Sequence, residues 1–253
     1  MLKTINSLPD VKKTRSVLVI ASFREFESLR VLLRDLEKFL SHEVSIVISD
    51  DTGVDSEGQI LEIVANSLSK ERNWIVSFEN QKNGRGNAVH RGFILARKIF
   101  PTAEYFIECD ADGSHQPSDI EKIIISQPSD FLIGSRYLRT SRISGWPRSR
   151  RIASKILNSL LPQILGVNSS DLTNGLRRYS IRATDILLNN KPMNSGFIFL
   201  SEQALVLSKN GIYATEVPIH FINRVHGKSS VGFLEIWDSI KGLLILYRAK
   251  NHL

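Results

Sequence analysis

The feature that most constrains this chain is a regular exchange of two hydrophobic periods across its first half. Five short runs, SVLVIAS (16–22), EVSIVIS (43–49), NWIVSFE (73–79), EYFIECD (104–110) and DFLIGSR (130–136), are apolar almost throughout. Between them lie segments of helical period. EFESLRVLLRDLEKFL (25–40) repeats leucine at helical spacing, a second helix is predicted over 59–69, and NAVHRGFILARKIF (87–100) forms a third. Strands without polar alternation are buried on both faces, and strand–helix repeats place them in a parallel sheet. The predicted fold class is therefore α/β, with a mostly parallel central sheet and helices on both faces. Ligands of such sheets bind beyond the carboxyl ends of the strands, where this chain gathers aspartates, glycines and arginines.

The second half is less regular. RSRRIASKILNSLLPQIL (148–165) reads as an amphipathic helix interrupted by Pro162, and SSDLTNGLRRYS (169–180) as a polar loop. A helix over 197–211 and a strand over 212–222 follow, then an apolar C-terminal helix within 231–253 that ends in basic residues. Residues 1–15 read as a polar arm. With no repeat and no linker, 1–253 is expected to form a single domain. One cysteine, Cys109, excludes an internal disulfide and favours a reducing, cytoplasmic setting. The longest strongly apolar run, 243–247, is far below the ~20 residues of a spanning helix, and the N-terminus lacks a signal-peptide core.

A net charge of +7 suits an anionic partner. The basic residues are scattered, however, and no nucleic-acid-binding motif is present, so no nucleic acid is expected. Against that charge stands an acidic pair in IECDADGSHQP (107–117). Asp110 and Asp112, at i and i+2, project to one side of an extended segment. Such a pair needs neutralising, and a hard divalent cation, Mg²⁺ or Mn²⁺, does so while taking further ligands from substrate phosphates. A solvated, capped turn is the competing reading.

SDDTGVDS (49–56) supplies Asp50 and Asp51 after the second strand, either for a nucleobase or ribose or as a turn. KNGRGNAVHRG (82–92) brings Lys82, Gly84, Arg85 and Gly86 to a helix start but matches neither standard phosphate loop. Close backbone approach to a nucleotide and a plain strand–helix turn are both compatible with it. Arg136 follows the fifth strand, where a guanidinium fork could grip a diphosphate. Arg148, Arg150, Arg151, Arg224 and Lys228 are further phosphate candidates or surface charges. No nucleophile elbow or metal-type histidine spacing occurs, so triad and zinc hydrolysis are unsupported.

Taken in order, these motifs together with GWPRSRRIAS and EVPIHFINRVHGKSS resemble the inverting family 2 glycosyltransferases of Rossmann-like GT-A fold. The polyprenyl-phosphate mannosyltransferase group is the nearest in pattern, and the resemblance spans about 16–241. It implies a nucleotide-sugar donor, GDP-mannose, and a polyprenyl-phosphate acceptor. It also implies metal binding by Asp110, Asp112 and Ser114, and catalytic roles for Asp112 and Arg136. Ala21, Phe23, Glu25, Asp50, Asp51, Lys82, Gly84, Gly86, Asp110, Ala111, Arg136 and Arg224 would hold the nucleotide-sugar. Arg136, Arg150, Arg224 and Lys228 would take the acceptor phosphate, with Asp171, Thr173, Gly175, Arg177 and Tyr179 near it.

ASFRE (21–25) departs from the family's usual opening and keeps only the aromatic Phe23 and Glu25. The implied setting is the cytosolic face of a membrane, through peripheral contact or a membrane subunit. A UDP-sugar donor with another acceptor, and a basic anion-binding protein without catalysis, are the alternatives.

Overall fold

The computed structural model describes residues 3–7, 11–196, 198–224 and 233–250. Among these described residues ten strands occur: β1 Lys3–Ser7, β2 Ser16–Ser22, β3 Val44–Asp50, β4 Trp74–Phe78, β5 Tyr105–Asp110, β6 Phe131–Ser135, β7 Arg142–Ser144, β8 Arg177–Ser180, β9 Thr215–Pro218 and β10 His220–Ile222. Eight helices accompany them: α1 Phe26–Phe39, α2 Glu57–Ser67, α3 Arg85–Ile99, α4 Pro117–Ile125, α5 Arg148–Leu165, α6 Ile181–Asn189, α7 Phe199–Lys209 and α8 Phe233–Ala249.

Eight strands form one sheet in the order β1-β4-β3-β2-β5-β8-β6-β9. The run β4-β3-β2-β5 is parallel, as the apolar strand pattern requires. Val17, Leu18, Val19 and Ile20 of β2 are completely buried, and their alternate side chains enter two separate cores. One core lies beneath α3, α6 and α7, the other beneath α1, α2 and α4. Each such side chain contributes about 1.5–3 kcal/mol by leaving water. Chain order reverses between β2 and β5, which creates a switch-point crevice at their carboxyl ends.

Helix α3 can lie close on the sheet because residue 92 is glycine; an added Cβ would collide with Val19 Cγ1. Gly92→Val is expected to cost about 1–3 kcal/mol, the usual penalty of overpacking. A urea melt would show it, and an unchanged midpoint would refute it.

The structure revises several sequence expectations. The N-terminal arm contributes β1, antiparallel to β4 at the sheet edge. Pro162 does not interrupt α5, which runs on to Leu165. Pro162 lies one turn from the helix end, and its carbonyl accepts from Gly166 N and Val167 N around a left-handed Gly166. The strand expected over 212–222 divides between the main sheet, as β9, and a small parallel pair, β7–β10.

The largest revision concerns 169–180. Its last four residues are β8, which lies antiparallel between β5 and β6 in mid-sheet. Two fully buried arginines are tolerated there because backbone carbonyls receive them. Arg177 donates to Leu172 O, Asn174 O and Leu200 O at 3.0, 2.9 and 2.5 Å. Arg178 reaches carbonyls at the end of α4, including Ser126 O at 2.8 Å and Gln127 O at 2.6 Å.

Candidate active site

A cleft of about 820 Å³ opens at the switch point. The end of β2 supplies Ala21, Phe23 and Glu25, and the end of β3 supplies Asp51. The segment before α3 supplies Lys82 and Gly84, and the end of β5 supplies Asp110, Ala111 and Asp112. Arg224 closes one side. Ten of the expected positions thus meet around one space although they span two hundred residues of chain.

Each aspartate of the acidic pair has its own guanidinium. Arg85 Nε lies 2.6 Å from Asp110 Oδ1, and Arg85 Nη1 lies 2.9 Å from the buried Glu108. Arg224 Nη2 lies 3.2 Å from Asp112 Oδ2 and Nη1 lies 3.7 Å from Glu25. Two arginines thus neutralise the pair that the sequence reading assigned to a metal. Burial pushes the Asp110 carboxyl up, but Arg85, His115 and Arg224 together outweigh it and hold the group below the usual carboxylate range. Glu25 goes the other way, because burial and then the neighbouring Asp112 raise its carboxyl more than Arg224 lowers it.

Local turns fix the carboxylates. Asp112 Oδ1 accepts from Ser114 N at 3.0 Å, and His115 Nδ1 accepts from Asp110 N at 3.3 Å. His115 Nε2 is 3.0 Å from Asn174 Oδ1, so the imidazole braces the loop. Ser114 is buried, and its hydroxyl has no hydrogen-bond partner among the described residues. Asp51 accepts from Asn83 N at 3.0 Å and from Arg91 at 2.7 Å. Phe23 has the cations of Arg24 and Lys82 over its ring at 5.3 and 5.1 Å. Arg24 itself has φ 57°, a left-handed turn beside the cleft.

Other expected residues stand elsewhere. Asp50 is fully buried and caps its own turn through Thr52 N at 2.8 Å. Gly86 does not line the cleft; an added Cβ would lie 2.7 Å from Phe199 Cγ, so this glycine admits α7. Gly84 does line it, with φ 86° and Ser195 O only 2.8 Å from a would-be Cβ.

Arg136 closes its fork on Asp171, at 2.7 Å from each oxygen, rather than presenting it to a diphosphate. It is buried among Tyr137, Trp146 and Phe221, so it braces the loop after β6. Arg150 lies over Trp146 at 4.2 Å, outside the cleft lining. Arg177 and Tyr179 are fully buried in β8, where Tyr179 donates to Glu108 at 2.6 Å; they cannot touch an acceptor. Gly175 instead leaves room for Arg85, whose Nη2 a Cβ would strike. Lys228 lies outside the described residues.

Sequence reasoning missed the wall opposite β2, which consists of Met193, Asn194, Ser195, Gly196 and Ile198 with Lys241, Gly242 and Ile245 of α8. Glu202 holds this segment by accepting from Met193 N at 2.7 Å and Asn194 N at 3.0 Å. No motif marks it. Only the small-residue run NSG (194–196) hinted at a turn.

An α/β sheet that gathers carboxylates and cations beyond its carboxyl edge belongs to the class built to hold phosphorylated ligands. Within that class the assignment is specific, since the model of glycosyl transferase family 2 matches residues 17–200. The chain belongs to this family and is a glycosyltransferase.

It is 30% identical over 222 residues to the undecaprenyl-phosphate mannosyltransferase of Micrococcus luteus, covering 86% of this chain and 87% of that protein. It is 27% identical over 228 residues to the polyprenol monophosphomannose synthase of Mycolicibacterium smegmatis, covering 89% and 84%. Among solved structures, the glucosyl-3-phosphoglycerate synthase of Mycobacterium tuberculosis, in complex with Mn²⁺, UDP and glucosyl-3-phosphoglycerate, superposes with TM-score 0.63. The identity is 13%, with 93% of this chain and 80% of that one covered. A mannosyltransferase of Pyrobaculum calidifontis in complex with GDP-Man and Mn²⁺ gives 0.58 at 14% identity, over 96% and 66%. These two likenesses support the α/β GT-A fold.

Proposed function

We propose that the protein transfers mannose from GDP-mannose to a polyprenyl phosphate, with inversion at the sugar carbon. The observation that carries this reading is the near-full-length match to two relatives named for polyprenyl-phosphate mannosyl transfer.

The cleft suits the donor. Asp112 and the buried, unpartnered hydroxyl of Ser114 offer oxygen atoms to a hard divalent cation, with Asp110 beside them. Among the described residues no cluster of three acidic, histidine or cysteine side chains could hold a metal by itself. That fits Mg²⁺ or Mn²⁺, which commonly completes its shell from water and substrate phosphates. Bound there, the cation would offset the charge that develops on the leaving diphosphate.

The chain's own residues orient and hold the substrates. Phe23, Lys82 and Asp51 face the nucleotide end of the cleft, and Arg224 is placed to pass from Asp112 to a phosphate. No histidine lines the cleft among the described residues. A phosphate monoester needs none, since its second pKa of about 6 leaves the oxygen anionic at neutral pH.

A long lipid acceptor calls for a membrane surface. Among the described residues no helix is long and apolar enough to cross one. Helix α5 instead exposes Ile152, Ile156 and Leu160 along one stripe, with Arg148, Arg151 and Lys155 beside it, and α8 exposes Leu244 and Tyr247. That pattern supports peripheral contact at the cytosolic face, or docking on a membrane subunit.

The test is thermal stabilisation by GDP- and UDP-sugars with and without Mn²⁺. At a hundred times Kd a bound donor adds about 2.7 kcal/mol. A rise in melting temperature with GDP-mannose plus Mn²⁺ supports the reading. A rise with a UDP-sugar instead reassigns the donor.

A further inference from the structure

Helix α8 lies beyond the residues that match the family model, yet it forms part of the cleft wall. It can do so because residue 242 is glycine. An added Cβ would strike Ile198 Cγ2 and lie 2.6 Å from Asn194 Oδ1. One turn on, Leu246 is completely buried in the core beneath α7. Gly242 and Leu246 thus anchor one face of α8. The adjacent face turns Lys241 and Ile245, also one turn apart, into the cleft lining.

The charge environment of Lys241 differs from that of the two cleft arginines that carboxylates hold. Arg85 is paired with Glu108 and Asp110, and Arg224 with Asp112 and Glu25. Lys82 lies over Phe23. Among the described residues Lys241 has no ion-pair partner. An ammonium without a carboxylate, followed one turn later by an apolar side chain on the same face, is complementary to a phosphate that continues into hydrocarbon. Ile245 is itself exposed, and exposed Leu244 and Tyr247 lie to either side of it along the helix.

From this juxtaposition we infer that Lys241 binds the phosphate of the lipid acceptor and that Ile245 receives the first isoprene units of its chain. The inference rests on the acceptor reading above and adds a site to it. The donor diphosphate shares the same chemistry, so the experiment must separate the two.

The proteins to compare are the full-length wild type and its Lys241→Ala, Lys241→Arg and Ile245→Ser variants. Calorimetry would measure farnesyl phosphate and, separately, GDP-mannose with Mn²⁺. Lys241→Ala is expected to weaken farnesyl phosphate about tenfold or more, the scale of one charge-assisted hydrogen bond. Lys241→Arg should recover most of that affinity, Ile245→Ser should weaken farnesyl phosphate but not inorganic phosphate, and donor affinity should stay within twofold. Because Lys241 is exposed, its melting temperature should not move.

Equal farnesyl phosphate affinity in wild type and Lys241→Ala would overturn the inference. So would a loss confined to GDP-mannose, which would assign the lysine to the donor. If the wild type binds GDP-mannose but no prenyl phosphate, the acceptor reading itself falls, and this inference with it.

Discussion

Asp112→Ala is expected to lower sugar transfer about a thousandfold while the protein stays folded. The carboxylate is the oxygen donor that stands beside Ser114 and opposite Arg224. On the function proposed above its loss would remove the cation's anchor, and a cation that stabilises the leaving diphosphate contributes several kcal/mol to the transition state. The fold tolerates the change because Asp112 occupies a turn at the cleft and its partner Arg224 retains Glu25. Two measurements check this. Turnover of purified variant should fall to near background, and the stabilisation that Mn²⁺ with donor gives the wild type should disappear. Transfer within tenfold of wild type would exclude Asp112 as the metal anchor.

Arg85→Met is expected to act on stability first. Arg85 is the counter-charge for Glu108, which is completely buried, and for Asp110. Removing one partner of a buried ion pair leaves an uncompensated charge and costs about 3–5 kcal/mol. For a chain of this size that corresponds to a fall of about 10 °C in melting temperature.

The pH dependence should change as well. In the wild type Asp110 is held below its ordinary range, so its contribution is present above the unfolded pKa and is lost as pH falls through the folded value. Without Arg85, burial is the largest remaining influence and moves the carboxyl up from its wild-type position, so the folded variant takes up its proton at higher pH. The variant should then gain stability relative to wild type as pH falls from 8 to 5. Thermal melts across that range decide the point, and a constant gap between the two proteins would refute it. Lys would be a poor substitute, because the interaction uses two ends of a planar fork.

The parallel sheet was legible in the sequence because burial on both faces leaves a local signature. β2, β3, β4 and β5 each lack polar alternation, and each was read to within a residue or two. The half of the site that sits at those strand ends was legible for the same reason. Once a sheet is parallel, Glu25, Asp51, Asp110 and Asp112 must face one edge.

β8 was not legible, since RRYS looks like a solvated loop until carbonyls from α4 and α7 are placed around its guanidinium groups. Arg136 was misread in the same way, as its fork meets Asp171 thirty-five residues away. The glycines at 84 and 86 were compatible with close approach to a nucleotide or with a plain turn, and only the tertiary structure shows that their lack of side chains admits Ser195 and Phe199.

The sequence by itself therefore determined the strand–helix order, the parallel core and the acidic pair at its edge, because a buried strand and an i, i+2 pair are local patterns. The tertiary structure alone decided which charges compensate which, and which far segment closes the cleft. The physical reason is that a buried charge is settled by its partners in space. Those partners lie 25 residues from Arg85 at Asp110 and 35 residues from Arg136 at Asp171, and no local pattern encodes them.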